Sequence, residues 1–118
     1  MNQAQLTVSQ HMTADHVHVV LLAGEIDHTT TDLFRQVLIT EDGFPRHTVL
    51  DLRAVTFMDS SGINILVAAN NAARADNGWL RLAHTPKPVA ELLHIVGLDD
   101  VIGLYPTLDE ALAPQAAA

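Results

Sequence analysis

Short apolar runs alternate along the chain with segments whose apolar residues recur at helical spacing. Residues 17–22 are apolar apart from one histidine and rich in β-branched side chains, which predicts a buried strand. A helical stripe follows, formed by Leu33, Phe34, Val37 and Leu38. Thr29, with Asp32 three residues later, resembles a capping box that starts this helix, and Gly43 and Pro45 end it.

The middle of the chain repeats the order of strand and helix. Residues 48–52 predict a second strand, and residues 60–75 predict a long helix. Ser60 and Asn64 lie on the polar side of this helix, so we expect them to face solvent. The opposite side is expected to pack on the sheet through Ile63, Leu66 and Val67.

A third helix follows a turn at residues 76–78 and a strand at residues 79–82. Thr85 is placed to cap this helix, with Pro86 at its first position. Its apolar stripe consists of Val89, Leu92, Leu93 and Val96. Gly97 stands where a glycine commonly ends a helix.

The end of the chain predicts a short strand at residues 101–102 and a last short helix. Thr107 with Glu110 is a second capping box and starts that helix. Residues 7–9 can add an edge strand at the beginning. Alternation of strands and helices predicts an α/β fold, with a mainly parallel or mixed sheet of four to five strands and helices packed on it.

The composition fits one small domain. Of the 118 residues, 48% are apolar, enough for one packed core. We assign residues 1–113 to this domain and the Ala-rich residues 114–118 to a disordered tail. The net charge of -8, with only six Lys and Arg residues, argues against a nucleic-acid partner and against an acidic membrane surface. The chain has no cysteines, no signal-peptide pattern and no apolar run long enough to span a membrane. We therefore expect a cytoplasmic protein.

Two segments at predicted strand-to-helix junctions concentrate polar residues and glycine, residues 24–29 and residues 57–62. Function in α/β sheets gathers at such junctions. In the second segment, Asp59 or Ser60 could simply cap the helix, and Gly62 could simply permit close packing. A serine at a helix N-terminus also accommodates a phosphate group, because the free N–H groups and the helix dipole favour negative charge there.

The motifs of these segments resemble the STAS domain, named for sulfate transporters and anti-sigma factor antagonists. From Gly24 the chain reads Gly-Glu-Ile-Asp-x-x-Thr, and from Leu50 it reads Leu-Asp-Leu-x-x-Val-x-Phe-Met-Asp-Ser-Ser-Gly-Ile. From Pro88 it reads Pro-Val-x-x-Leu-Leu-x-Ile-x-Gly-Leu, which is similar to the third helix of that family. Within the family, the chain resembles the stand-alone bacterial anti-sigma factor antagonists.

The resemblance implies a binding protein, without cofactor or catalytic residues, that is switched by phosphorylation of Ser60. Its partners would be an anti-sigma factor with serine-kinase activity, which it binds to release a sigma factor, and a serine phosphatase that restores it. The oligomeric state stays open. Where the family often has glycine, this chain has Asn64. The partner-binding residues implied by the resemblance are Asp27, Thr29, Asp59, Ser61, Gly62, Ile63 and Asn64.

The sequence also allows three alternatives to this function. A hydrolase would use Ser60 as nucleophile, His28 as base and Asp27 or Asp59 to orient it, but the chain lacks a Gly-x-Ser-x-Gly elbow. A metal site would need a third ligand beside the histidines at positions 16 and 18, which would share one strand face. A STAS subunit that binds partners without being phosphorylated, in a transporter or stress-signalling complex, is the serious rival.

Overall fold

The structure is a computed structural model that describes residues 6–38 and 47–113. Within these residues five strands form one sheet in the order β1-β2-β3-β4-β5. Strand β1 is antiparallel to β2, and all other neighbouring strands are parallel, which confirms a mixed sheet with an added edge strand. The strands are β1 (Leu6–Met12), β2 (His18–Ile26), β3 (His47–Met58), β4 (Trp79–Ala83) and β5 (Gly103–Tyr105).

The helices divide between the two faces of this sheet. They are α1 (Thr31–Leu38), α2 (Ser60–Ala75), α3 (Lys87–Ile95) and α4 (Leu108–Leu112), with a 3-10 turn at Leu98–Asp100. Side chains of α1, α2 and α3, such as Phe34, Leu66 and Leu93, share the main core with β2 and β3. Helix α4 covers a smaller cluster on the other face through Ala111. The fold is therefore an α/β layer structure with unequal layers.

Some predicted features lie outside the described residues: the first five residues of the predicted domain, the tail at residues 114–118, and Gly43 and Pro45. Where the structure does describe the chain, α2 has the predicted bounds, Ser60–Ala75. Gly97 ends α3 with a φ of 80°. Thr107 caps α4 by accepting a hydrogen bond from the Glu110 N–H at 3.1 Å.

The prediction for the buried face of α2 was wrong at one position. Ile63 and Leu66 are buried, but Val67 is 36% exposed, and Ile65 is buried at 5% exposure in its place. Successive residues are about 100° apart around a helix. The buried side of α2 includes Gly62, Leu66, Ala69 and Ala73. Val67 lies beyond the edge of this side, which packs against α1 and the sheet.

Two helix starts also differ from the sequence prediction. The capping box of Thr29 and Asp32 does not form: α1 begins at Thr31, and the Thr29 hydroxyl bonds to Asp27 instead. Thr85 does not cap α3, because Pro86 takes the cap position and leaves the Thr85 hydroxyl buried without a partner among the described residues. A second proline, at position 88, also suits the first turn, and the helix begins at the residue between the two.

Two strand predictions need correction as well. The strand expected at residues 101–102 lies at Gly103–Tyr105. The N–H groups of Val101 and Ile102 instead bond to the Leu98 carbonyl and close a turn, so they cannot join the ladder. His16 does not share a strand face with His18, because it lies in the turn before β2 at a φ of 65°.

Candidate functional site

The loop from β3 into α2 holds its serines in different ways. Asp59 is the N-cap of α2, and its Oδ1 accepts a hydrogen bond from the Ser61 N–H at 2.8 Å. Its carbonyl accepts from Gly62 and Ile63 at 3.1 and 3.2 Å. Ser60, the first residue of the helix, is exposed, and its hydroxyl makes no hydrogen bond within the described part of the chain. The cap thus fixes the backbone under Ser60 while leaving its hydroxyl accessible.

Gly62 allows the first turn of α2 to lie directly on the ends of two strands. A Cβ atom at this position would stand 2.7 Å from Cγ2 of Ile26 and 2.9 Å from Cγ of Met58. These are the last residues of β2 and β3. Such distances are far inside van der Waals contact. The glycine is therefore needed for close packing here, and this packing places Ser60 at the rim of the sheet.

The loop from β2 into α1 is folded around two short polar side chains. The Asp27 Oδ1 accepts hydrogen bonds from the Thr29 N–H at 2.8 Å and from the Thr29 hydroxyl at 2.6 Å. The buried Thr30 hydroxyl donates to the Glu25 carbonyl at 2.9 Å and accepts from the Asp27 N–H at 3.0 Å. Sequence reasoning missed Thr30, because the threonines at positions 29–31 cannot be ranked by type alone. The only signal in the sequence is the run of three threonines just before the helical stripe.

The two loops lie side by side at the carboxyl edge of the sheet. The Asp59 N–H donates to the Ile26 carbonyl at 3.1 Å, and the Thr56 hydroxyl donates to the Gly24 carbonyl at 3.3 Å. Both contacts join adjacent parallel strands at their carboxyl ends, where loops meet in α/β folds. The predicted segments therefore form one surface.

This surface combines negative charge with one large apolar side chain. The Thr29 hydroxyl, and then the Thr29 N–H, lower the pKa of Asp27 below its ordinary value of 3.8, so it is ionised at neutral pH. Among the described residues no Lys or Arg pairs with Asp27 or Asp59. Phe57, the last but one residue of β3 and two positions before Asp59, is 48% exposed, and sequence reasoning had not singled it out.

The residues expected to contact a partner divide by exposure. Ser60, Asn64 and Thr29 are exposed, and Asp27, Asp59 and Ser61 are half-buried. Gly62 and Ile63 are buried, so they support the surface from beneath and present no side chain on it. Asn64 stands one helical turn after Ser60, on the same exposed side of α2.

A hydrolytic triad is not assembled here. The Ser60 hydroxyl has no hydrogen bond to His28, and the Asp27 carboxylate is bonded to Thr29 rather than to an imidazole. Within residues 6–38 and 47–113, no group of three or more His, Cys, Asp or Glu side chains is arranged to hold a metal ion. None of the helices described is both long and apolar enough to cross a membrane.

Comparison with known proteins identifies the family. The profile described as the STAS domain matches residues 10–111. The chain belongs to the STAS domain family. This STAS domain is 31% identical over 93 residues to the anti-sigma F factor antagonist of Paenibacillus polymyxa, covering 75% of this chain and 78% of that protein.

Two mycobacterial proteins are similar to this STAS domain over most of its length. The anti-sigma-F factor antagonist RsfB of Mycobacterium tuberculosis is 33% identical over 106 residues, which cover 84% of this chain and 83% of that protein. The crystal structure of an anti-sigma factor antagonist from Mycobacterium paratuberculosis superposes with a TM-score of 0.77 at 33% identity, covering 91% of each chain. Each relative is named for antagonising a regulatory protein and not for a reaction.

Proposed function

We propose that this STAS domain is an anti-sigma factor antagonist controlled by phosphorylation of Ser60. It binds an anti-sigma factor with serine-kinase activity and so releases a sigma factor. The kinase phosphorylates Ser60 and ends the binding, and a serine phosphatase restores it, in the cytoplasm. The observation that carries this proposal is the exposed Ser60 hydroxyl at the first position of α2, which makes no hydrogen bond among the described residues and stands above a backbone that the Asp59 cap holds in place.

The names of the relatives support the binding half of the proposal, since each antagonises an anti-sigma factor. The shape of the surface supports it too. Ser60, Asn64 and Phe57 are exposed, with Asp27 and Asp59 charged beside them. An exposed aromatic side chain among hydrogen-bonding groups is typical of residues that anchor protein interfaces.

The charge balance explains how one phosphate can switch the binding. A phosphoserine carries about -1.5 to -2 charges at neutral pH. A charge at a helix N-terminus gains only about 0.3–1 kcal/mol. An unpaired charge desolvated at an interface costs roughly 2–5 kcal/mol. Because about 1.4 kcal/mol corresponds to a factor of ten in affinity, phosphorylation is expected to weaken binding by tens to thousands of times. The cost of the added charge at the interface therefore exceeds its stabilisation by the helix dipole, and the switch needs no change of fold.

The test uses the anti-sigma kinase encoded in the same genome, with binding measured by calorimetry and modification by intact-mass spectrometry. We expect Ser60→Ala to bind the kinase as the unmodified protein does and to resist phosphorylation. Ser60→Asp should bind much more weakly, because its carboxylate brings negative charge to the interface. Ser61→Ala is the matched control and should still be phosphorylated.

The outcomes separate the proposal from its rival. Phosphorylation of Ser60→Ala, or equal binding of the modified and unmodified protein, would overturn the switch. Tight binding to the anti-sigma factor without any modification would instead favour a STAS domain that works by binding alone.

A further inference from the structure

One half of the sheet face that carries α4 contains a hollow. Helix α4 packs on this face over β3, β4 and β5. Beside it, β1, β2 and the middle of β3 enclose a hollow of about 360 Å³. It is lined by residues 7–9, residues 21–23, Asp51, Arg53 and Ala54. This volume lies within the range of about 300–1,000 Å³ that is typical of small-molecule sites.

A β-bulge shapes the hollow. Leu21 pairs with Asp51 and Ala23 pairs with Ala54, so β3 has one residue more than β2 in this stretch. A bulge bends its strand and redirects the side chain of the added residue. The Arg53 N–H bonds to the Asp51 Oδ1 at 3.0 Å, which holds the bulge in place. The small side chains of Ala23 and Ala54 leave the space beside it open.

The charged groups of the hollow form one ion pair, whose guanidinium still has donors available for an anion. The Asp51 side chain is 2% exposed, and its Oδ2 accepts a hydrogen bond from Arg53 Nη2 at 3.2 Å. The Arg53 side chain is 65% exposed and makes no other side-chain hydrogen bond among the described residues. A guanidinium has five N–H donors in a planar fork that matches carboxylate and phosphate groups. Asp51 thus fixes a cation at the edge of the hollow, with several donors still available.

The rest of the lining is largely apolar. Leu21 is 39% exposed and lines the half-open hollow together with Ala23 and residues 7–9 of the neighbouring strand. Arg53 is the single Lys or Arg among the lining residues. Asp51 offsets the charge of Arg53, and the chain carries a net charge of -8, so an anion binds here only if the remaining guanidinium donors and the apolar contact outweigh the repulsion from both. A ligand with an apolar body and one anionic head group can make both the apolar contact and the contact with the guanidinium.

We propose that this hollow binds a small single-chain amphiphile, with its anionic head group on Arg53 and its apolar body over Leu21 and Ala23. The hollow lies on the sheet face opposite α2, so it is separate from the Ser60 surface and does not depend on the proposed switch. Carboxylate and phosphate head groups share the chemistry that Arg53 recognises. The experiment below distinguishes them.

The test is a titration of the full-length, ¹⁵N-labelled protein followed by NMR. The probes are dodecanoate, dodecyl phosphate and uncharged dodecanol, each below its micelle-forming concentration. We expect saturable shifts for at least one anionic probe at residues 7–9, 21–23 and 51–54, and weaker binding of dodecanol. Arg53→Gln should weaken the anionic probe by about tenfold or more, because it removes a charge-assisted pair. Arg74→Gln, an exposed arginine on α2, is the matched control and should leave the binding unchanged.

A second variant covers the case in which Arg53→Gln fails to fold once Asp51 loses its partner. Ala54→Leu leaves the ion pair in place and fills the hollow, so it should abolish binding of the anionic probe. Ala68→Leu, on the exposed side of α2, controls for the added side chain. The proposal is overturned if both anionic probes bind without saturation, if their shifts lie elsewhere, if dodecanol binds as tightly as they do, or if Ala54→Leu leaves binding unchanged.

Discussion

At the scale of single residues, Thr30 stabilises the loop from β2 into α1 that forms part of the candidate site. Its hydroxyl bonds to the Glu25 carbonyl and to the Asp27 N–H, and the side chain is buried at 7% exposure. These bonds hold the loop in which the Asp27 carboxylate is fixed by Thr29. The half-buried Asp27 carboxylate and the exposed Thr29 are therefore supported by a neutral, buried side chain.

Replacing Thr30 with valine keeps its shape and removes both hydrogen bonds. An unsatisfied buried polar group costs about 1–3 kcal/mol, so the free energy of unfolding should fall by that amount. Urea denaturation followed by circular dichroism measures the change. The matched control is Thr29→Val, which removes an exposed hydroxyl and should cost clearly less. Equal losses for the two variants would show that Thr30 has no special role in the loop.

At the scale of elements, the position of α2 depends on contact between Gly62 and the ends of β2 and β3. Replacing an interior helix glycine with alanine commonly stabilises a protein by roughly 0.5–1 kcal/mol. Gly62→Ala should instead destabilise it by about 1–3 kcal/mol, because the added Cβ overlaps Ile26 and Met58. Urea denaturation measures the unfolding free energy, and the sign of its change shows whether the added Cβ destabilises the contact with the two strands. Asn64→Ala, on the exposed side of the same helix, serves as control, and a stabilising Gly62→Ala would contradict the close packing.

The elements also show how far the sequence predicts this fold. Apolar spacing placed α2 correctly, and Thr107 with Glu110 located α4, because both signals are local. The exposure of Val67 depends on how α2 packs against the sheet and against α1, which is distant in the chain. The failure of Thr85 to cap α3 has a local cause, because the adjacent Pro86 takes the cap position and Pro88 lies in the first turn. The motif residues predicted the loops of the site, but Thr30 and the exposed Phe57 emerge only when both loops are folded together.

At the scale of the whole molecule, two layers of unequal size give the sheet two different faces. The face of α1, α2 and α3 carries the main core and brings Ser60 to the carboxyl edge. The face of α4 is only partly covered and leaves the Arg53 hollow beside it. The proposed partner of the Ser60 surface and the proposed ligand of the hollow would therefore bind to separate parts of the molecule. Strand β2, which contains the buried His18, lies in the sheet between these two faces.

His18 should make the stability of the whole fold depend on pH. It is 6% exposed, its Nε2 bonds to the Gln10 Oε1 at 2.7 Å, and its Nδ1 is buried without a partner among the described residues. Burial, and secondarily the neighbouring His11, holds the pKa of His18 below its ordinary value of 6.5. The exposed His94 has the opposite tendency, because the hydrogen bond that its Nδ1 donates to the Asp99 carboxylate raises its pKa, so its contribution is lost as the pH rises.

As the pH falls below about 6.5, the unfolded chain takes up a proton at His18 before the folded protein does. The contribution of neutral His18 is therefore complete above that pH and declines toward the lower folded pKa, by up to about 1.4 kcal/mol per pH unit. Urea denaturation at pH 7.5 and at pH 5.5 measures this decline. His18→Leu keeps a buried apolar side chain that does not titrate, so its stability should fall less between the two pH values. His28→Gln removes an exposed imidazole and should follow the wild type. If His18→Leu and the wild type lose the same stability, protonation of His18 is not coupled to folding, and its buried Nδ1 has access to water.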